Sequence, residues 1–65
     1  MGKLYKLDIK NRFTGATYEI TAFGDGPRTV HKKVLYDVIS NNEQILSIID
    51  DTQEKVFDNN IGFLD

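Results

Sequence analysis

The chain has 65 residues, no cysteine, one histidine and a formal net charge of −2, which allows one small domain and excludes disulfide staples and thiolate metal sites. Its 40% hydrophobic and 28% charged residues belong to a folded domain rather than a disordered segment. The charge is uneven: residues 1–42 carry seven Lys/Arg against four Asp/Glu, a balance of +3, and residues 43–65 carry one against six, a balance of −5.

A chain of this length buries only about 60% of its unfolded surface, so the core is thin and each buried apolar residue matters. Its longest uninterrupted apolar runs are two or three residues, against the roughly 20 needed to span a bilayer. The opening MGKLYKLD lacks the apolar stretch of a secretory signal. Lys6 stands where a myristoylation motif takes Ser or Thr. The expected compartment is therefore the cytoplasm.

Residues 4–10 alternate, with Tyr5, Leu7 and Ile9 on one face and Leu4, Lys6, Asp8 and Lys10 on the other. Residues 16–23 do the same, Tyr18, Ile20 and Ala22 against Thr17, Glu19, Thr21 and Phe23. A period of two with β-branched and aromatic residues predicts strands. A four-residue loop from Arg12 to Gly15 pairs Asn11 with Ala16 and sets Ile9, Leu7 and Tyr5 opposite Tyr18, Ile20 and Ala22. All six then share one face, as a register with one buried side requires. Gly15 falls where the turn wants a positive φ. The opposite face pairs Asp8 with Glu19, and it leaves Leu4 and Phe23 as an apolar pair on the wet side.

The stretch FGDGPRTV, residues 23–30, places two glycines ahead of a helical pattern, which raises the question of a phosphate cradle. Its spacing matches neither G-x-x-x-x-G-K-[ST] nor G-x-G-x-x-G, and Pro27 removes one backbone donor. It reads instead as the turn from strand to helix, with Pro27 near the first turn and Asp25 or Thr29 as cap. A helix is expected over 28–41, because Val30, Val34, Val38, His31, Leu35 and Ile39 fall within one half of the helical wheel. Read as a strand, the same residues put lysines on both faces. His31 has Val34 and Leu35 at i+3 and i+4, so it has no metal-binding companion on the helix. A partly buried histidine held by a loop carbonyl is the expectation.

QILSIIDDTQEKVFDN predicts a second hairpin, Ile45–Ile49 with Lys55–Asp58 around DDTQE. A symmetric register pairs Ile49 with Val56 and Ile48 with Phe57. A helix through NEQILSII is the competing reading. The expected architecture is α+β, ββαββ, with hairpin 3–23, helix 28–41, hairpin 44–59 and tail 60–65. One helix packs on one face of a four-stranded antiparallel sheet. The helix valines, weak helix formers, keep a small all-β barrel as the alternative.

Nothing assembles into a catalytic motif. Ser40 and Ser47 lie outside any nucleophile signature, and DDTQEKVFDNN does not follow an EF-hand, so the expectation is a non-enzyme without cofactor or metal. The strongest functional signal is surplus apolar surface. One helix shields one face, yet Ile45, Leu46, Ile48, Ile49, Val56 and Phe57 are apolar on both faces of the second hairpin, and the tail adds Ile61, Phe63 and Leu64. Either the tail folds over the free face or another chain covers it.

The expected function is a non-enzymatic protein–protein interaction module, a small regulator or inhibitor of a larger partner or a homodimer. Its expected contacts are Leu4, Phe23, Leu46, Ile48, Phe57, Phe63 and Leu64. One alternative is weak nucleic-acid binding through Arg12, Arg28, Lys32, Lys33 and Tyr36, a basic stripe bearing an aromatic ring. A further alternative is an acidic nucleic-acid mimic, resting on the charge of residues 43–65. In style, the Asn-, Ile- and Lys-rich, cysteine-free composition resembles small accessory proteins, phage-encoded ones among them.

Overall fold

The first hairpin forms in the register its alternation dictates. In the computed structural model, which describes residues 2–64, β1 (Lys3–Asn11) pairs antiparallel with β2 (Thr17–Gly24). Ile9 lies opposite Tyr18, Leu7 opposite Ile20 and Tyr5 opposite Ala22. The turn closes with Asn11 N–H donating to the Ala16 carbonyl at 2.8 Å and Gly15 N–H to the Asn11 carbonyl at 2.9 Å. Gly15 sits at φ +78, a conformation costly for any residue with a Cβ. The Asn11 side chain accepts from the Phe13 and Thr14 amides, an Asx turn that ties down the loop.

The helix α1 (Pro27–Asp37) starts at the expected turn. Gly26 precedes it in extended conformation with no side-chain cap bond, so neither Asp25 nor Thr29 caps it. Pro27 lies in the first turn, where its missing N–H leaves no bond unmade. Gly24 is required for packing: a Cβ there would meet Val30 Cγ2 at 2.6 Å. The helix stops four residues short of the expected end. The amides of Val38 and Ile39 both donate to the Val34 carbonyl at 3.1 Å, and Ile39 leaves the helix to enter the core. Consecutive β-branched residues weaken a last turn, and the Glu43 carboxylate then receives the Ser40 amide at 2.9 Å.

β3 (Glu43–Ile49), β4 (Lys55–Asp58) and β5 (Gly62–Phe63) complete an open five-stranded sheet in the order β2-β1-β3-β4-β5, every neighbour antiparallel. The tail thus supplies a fifth strand beyond the four expected, and the sheet does not close into a barrel. NEQILSII is strand, not helix. Between β1 and β3 the register steps from Asp8–Ser47 to Ile9–Ile45, so Leu46 is a bulge. Between β3 and β4 Ile48 pairs with Phe57 as expected. Ile49 instead faces Lys55 and Val56 is skipped.

The Leu46 bulge explains the run ILSII. Strict alternation would send Ile45 and Ile48 to opposite faces, whereas one extra residue returns both to the same side. Both are buried there with Tyr5, Leu7, Ile9, Val30, Val34, Ile39 and Phe57. Leu7, Ile9, Val30, Val34 and Ile48 are wholly inaccessible, each contributing about 1.5–3 kcal/mol by burial. The second turn is held by Asp50, whose Oδ1 accepts from the Thr52 amide, the Thr52 hydroxyl and the Glu54 amide at 2.7–3.0 Å. Gln53 there adopts φ +70.

Candidate functional site

The helix divides the sheet into a covered and an uncovered face. On the covered face the tail is fastened by an aromatic group at the helix N-terminus. His31 stacks on Phe57 with centroids 4.8 Å apart, Phe63 meets His31 at 5.4 Å and Phe57 at 4.9 Å, and the Arg28 guanidinium lies 4.3 Å over the Phe63 ring. Such edge and tilted pairs add to simple area burial. His31 is therefore seated on rings, and among the described residues no loop carbonyl bonds it. Burial lowers its pKa from the usual 6.5. The sequence offered a weak sign of this group: a histidine on the apolar arc and two phenylalanines near the C-terminus.

This geometry revises three of the expected partner contacts. Ile48 is fully buried and Phe57 nearly so, both under the helix. They hold this molecule together and are not open to a partner. Phe63 also packs against the core. The tail therefore does not fold over the free face. It extends the sheet edge and turns its phenylalanine to the helix side.

Leu4 and Phe23 stand opposite each other on the uncovered face, 52% and 62% exposed. They lie beside Ile49, which pairs with Lys6 on the same face. The Phe23 ring reaches over Gly2, where a Cβ would run into the ring carbons. Next to them a hollow of about 180 Å³ is lined by Leu4, Tyr5, Lys6, Thr21, Asp50, Asp51 and Gln53. Leu64, half exposed, continues the chain beyond Phe63 with its amide bonded to the Val56 carbonyl. Strand alternation turns it to the uncovered face. It lies four strand spacings from Phe23, about 19 Å, outside that corner. Leu46, half-buried at its bulge, also lies apart.

The middle of the uncovered face is polar. Ser47 donates to Asp8 Oδ2 at 3.3 Å, and Lys55 bridges to Asp58 at 3.2 Å. The Asp58 side chain also receives the Asn60 amide, and these bonds hold its carboxyl below the ordinary range, with the Asn60 amide the larger cause. Of the apolar surplus read from the sequence, Leu4 and Phe23 gather at one corner, while Ile61 and Leu64 stay exposed in the tail, 72% and 45%. The bulge sends Ile45 and Ile48 into the core.

The alternative basic set does not gather. Lys32, Lys33 and Tyr36 share an open groove on the exposed helix flank with Thr29 and Asp37. Arg12 sits at the other end, its amide bonded to the Asn42 carbonyl past the helix C-terminus. About one helix length, 16 Å, separates it from Arg28, which rests on Phe63. The acidic residues are equally dispersed. Glu43 accepts the Tyr18 hydroxyl at 2.5 Å and the Ser40 amide, while Asp50 closes its own turn. The Ser40 amide first, then the Tyr18 hydroxyl, lowers the Glu43 pKa, and the same bond raises that of Tyr18.

Among the described residues no group of three or more His, Asp or Glu converges to hold a metal ion, and no helix is long and apolar enough to cross a membrane. No family model matches the sequence, and neither a curated protein nor a solved structure matches the chain.

Proposed function

We propose that this chain is a non-enzymatic protein-interaction module, a small regulator or inhibitor that docks a partner protein on the corner formed by Leu4, Phe23 and Ile49. One observation carries the reading. Two large apolar side chains stand more than half exposed on a face that neither helix nor tail covers. Clustered apolar side chains on one face mark interaction surfaces, and aromatic anchors with an adjoining hollow dominate binding energy. Lys6 and Asp51 at the rim supply the polar border such interfaces carry.

The test uses two immobilised chains, wild type and Leu4→Asp/Phe23→Asp, exposed to extracts of the source cell at moderate and high salt. A protein retained by the first, released by the second and indifferent to salt is the expected result. Both substitutions lie outside the core, so thermal unfolding of the variant stays within about 1 kcal/mol of wild type. Identical retention by both chains would remove the corner from the account. Retention that high salt abolishes would favour the basic groove of Lys32, Lys33 and Tyr36.

A further inference from the structure

Among the described residues the outer edge of β2, eight residues long, has no partner strand. The far edge of the sheet is the two-residue β5, whereas β2 runs for eight residues, TYEITAFG. Natural edge strands are defended by lysine, proline, bulges or brevity. β2 has no lysine, no proline and no register shift against β1, and its one charge is Glu19.

Which backbone groups face outward follows from the hairpin. The Asn11 amide bonds the Ala16 carbonyl, so antiparallel alternation turns Tyr18, Ile20 and Ala22 toward β1. The amides and carbonyls of Thr17, Glu19, Thr21 and Phe23 then point away from the sheet. Among the described residues none of these outward groups has a recorded loop partner.

We propose that two copies of this chain pair antiparallel along β2, about a two-fold axis through Ile20, to form one continuous ten-stranded sheet. The sequence of the strand is self-complementary at that centre. Ile20 meets Ile20 of the second copy, Tyr18 meets Ala22, Glu19 meets Thr21, and Thr17 meets Phe23. Glu19 and Thr21 both present outward backbone groups, so they form the bonded pairs of the new ladder. A shift by two in one direction sets Glu19 against Glu19, a repulsive pair. A shift by two in the other sets Tyr18 against Gly24 and Glu19 against Phe23. The half-buried Ile20 and half-exposed Tyr18 gain cover on the helix side. The helices do not collide: α1 packs on both β2 and β3, so it lies over β1. Two such helices are then three strand spacings apart, about 14 Å, against a helix diameter of about 10–12 Å.

The β2 edge shares Phe23 with the corner and Thr21 with its hollow, and the test separates the two through the backbone amides of β2 and through Leu4, which lies on β1. Sedimentation of wild type across concentration is expected to show a monomer–dimer equilibrium. By NMR hydrogen exchange, the Glu19 and Thr21 amides slow markedly as concentration rises, while Tyr18 and Ile20 stay protected throughout. Thr21→Pro removes an outward donor that the monomer does not use, and it weakens the dimer about tenfold or more. Two milder variants guard against a fold defect and report the register. Thr21→Glu faces Glu19 of the second copy and weakens association roughly fivefold, whereas Thr21→Lys strengthens it. Within one molecule Thr21 faces Lys6, so the same two changes act on folding in the opposite sense. A chain that stays monomeric with freely exchanging Glu19 and Thr21 amides overturns the proposal. So does a dimer that ignores all three Thr21 variants but dissociates on Leu4→Asp. That outcome would place self-association at the corner and leave the functional reading standing.

Discussion

The two hairpins are built on different principles. In β1–β2 the register is unbroken over eight pairs, a glycine takes the one positive φ of the turn, and side-chain type tells the inner face from the outer everywhere but at the Leu4–Phe23 pair. In the second hairpin β3 is stepped on both sides, at Leu46 against β1 and at Val56 against β4, and a glutamine takes the positive φ. β3 lies between two neighbours and must satisfy both registers, while β2 has only one. The difference teaches that alternation reports a face only where the ladder is regular. A bulge moves residues between faces without changing their type.

The largest way to break this comparison is at the residue both halves share. Ile48 pairs with Leu7 on one side and Phe57 on the other and is fully buried. Ile48→Ala is expected to cost about 3 kcal/mol, lowering Tm by more than about 10 °C in a domain of this size. A thermal melt reads it directly. A shift of only a few degrees would mean that the second hairpin docks loosely, independent of the first.

A smaller pair of changes sharpens the contrast between the turns. Gly15→Ala forces a Cβ into φ +78 and destabilises by about 1–2 kcal/mol. Gln53→Gly relieves the corresponding strain and stabilises by about 0.5 kcal/mol after the extra backbone entropy of glycine is counted. Denaturant midpoints of the two variants are expected to move in opposite directions. Equal signs would show that the second turn draws its stability from the Gln53 side chain.

The smallest effect is on pH. Burial depresses the pKa of His31, so the unfolded chain binds its proton more readily. That contribution is complete above pH 6.5 and fades as pH falls through the depressed value. The carboxylates of Glu43, Asp50 and Asp58 are depressed by the bonds they accept. Their contribution is present above the ordinary carboxylate range and is lost as pH falls below it. Stability is therefore expected to decline in two stages on acidification, and His31→Gln should flatten only the first. A first stage unchanged by that substitution would assign it elsewhere.

Much of this fold was legible in residue pattern, and the failures have definite causes. The first hairpin could be read pair by pair because its wet and dry sides differ in chemistry. The helix was legible as a helix, but its end was not, since Val38 and Ile39 continue the apolar arc while breaking the backbone geometry. Ile48 and Phe57 appeared to face outward because the Leu46 bulge leaves no mark in composition. The tail strand was hidden by its length: two residues carry no period. Of the expected contact residues, Leu4 and Phe23 were found where pairing placed them. Their exposure followed from a register already determined.

The claim on which the functional reading stands is that this corner is bare in the isolated chain. Paramagnetic relaxation by an inert soluble probe, read at side-chain protons in dilute solution, measures it directly. The account predicts strong broadening at Leu4 and Phe23 and none at Leu7 or Ile48, with Phe63 intermediate. Leu4 and Phe23 as well shielded as Leu7 would contradict it, because the chain would then already cover its own surface.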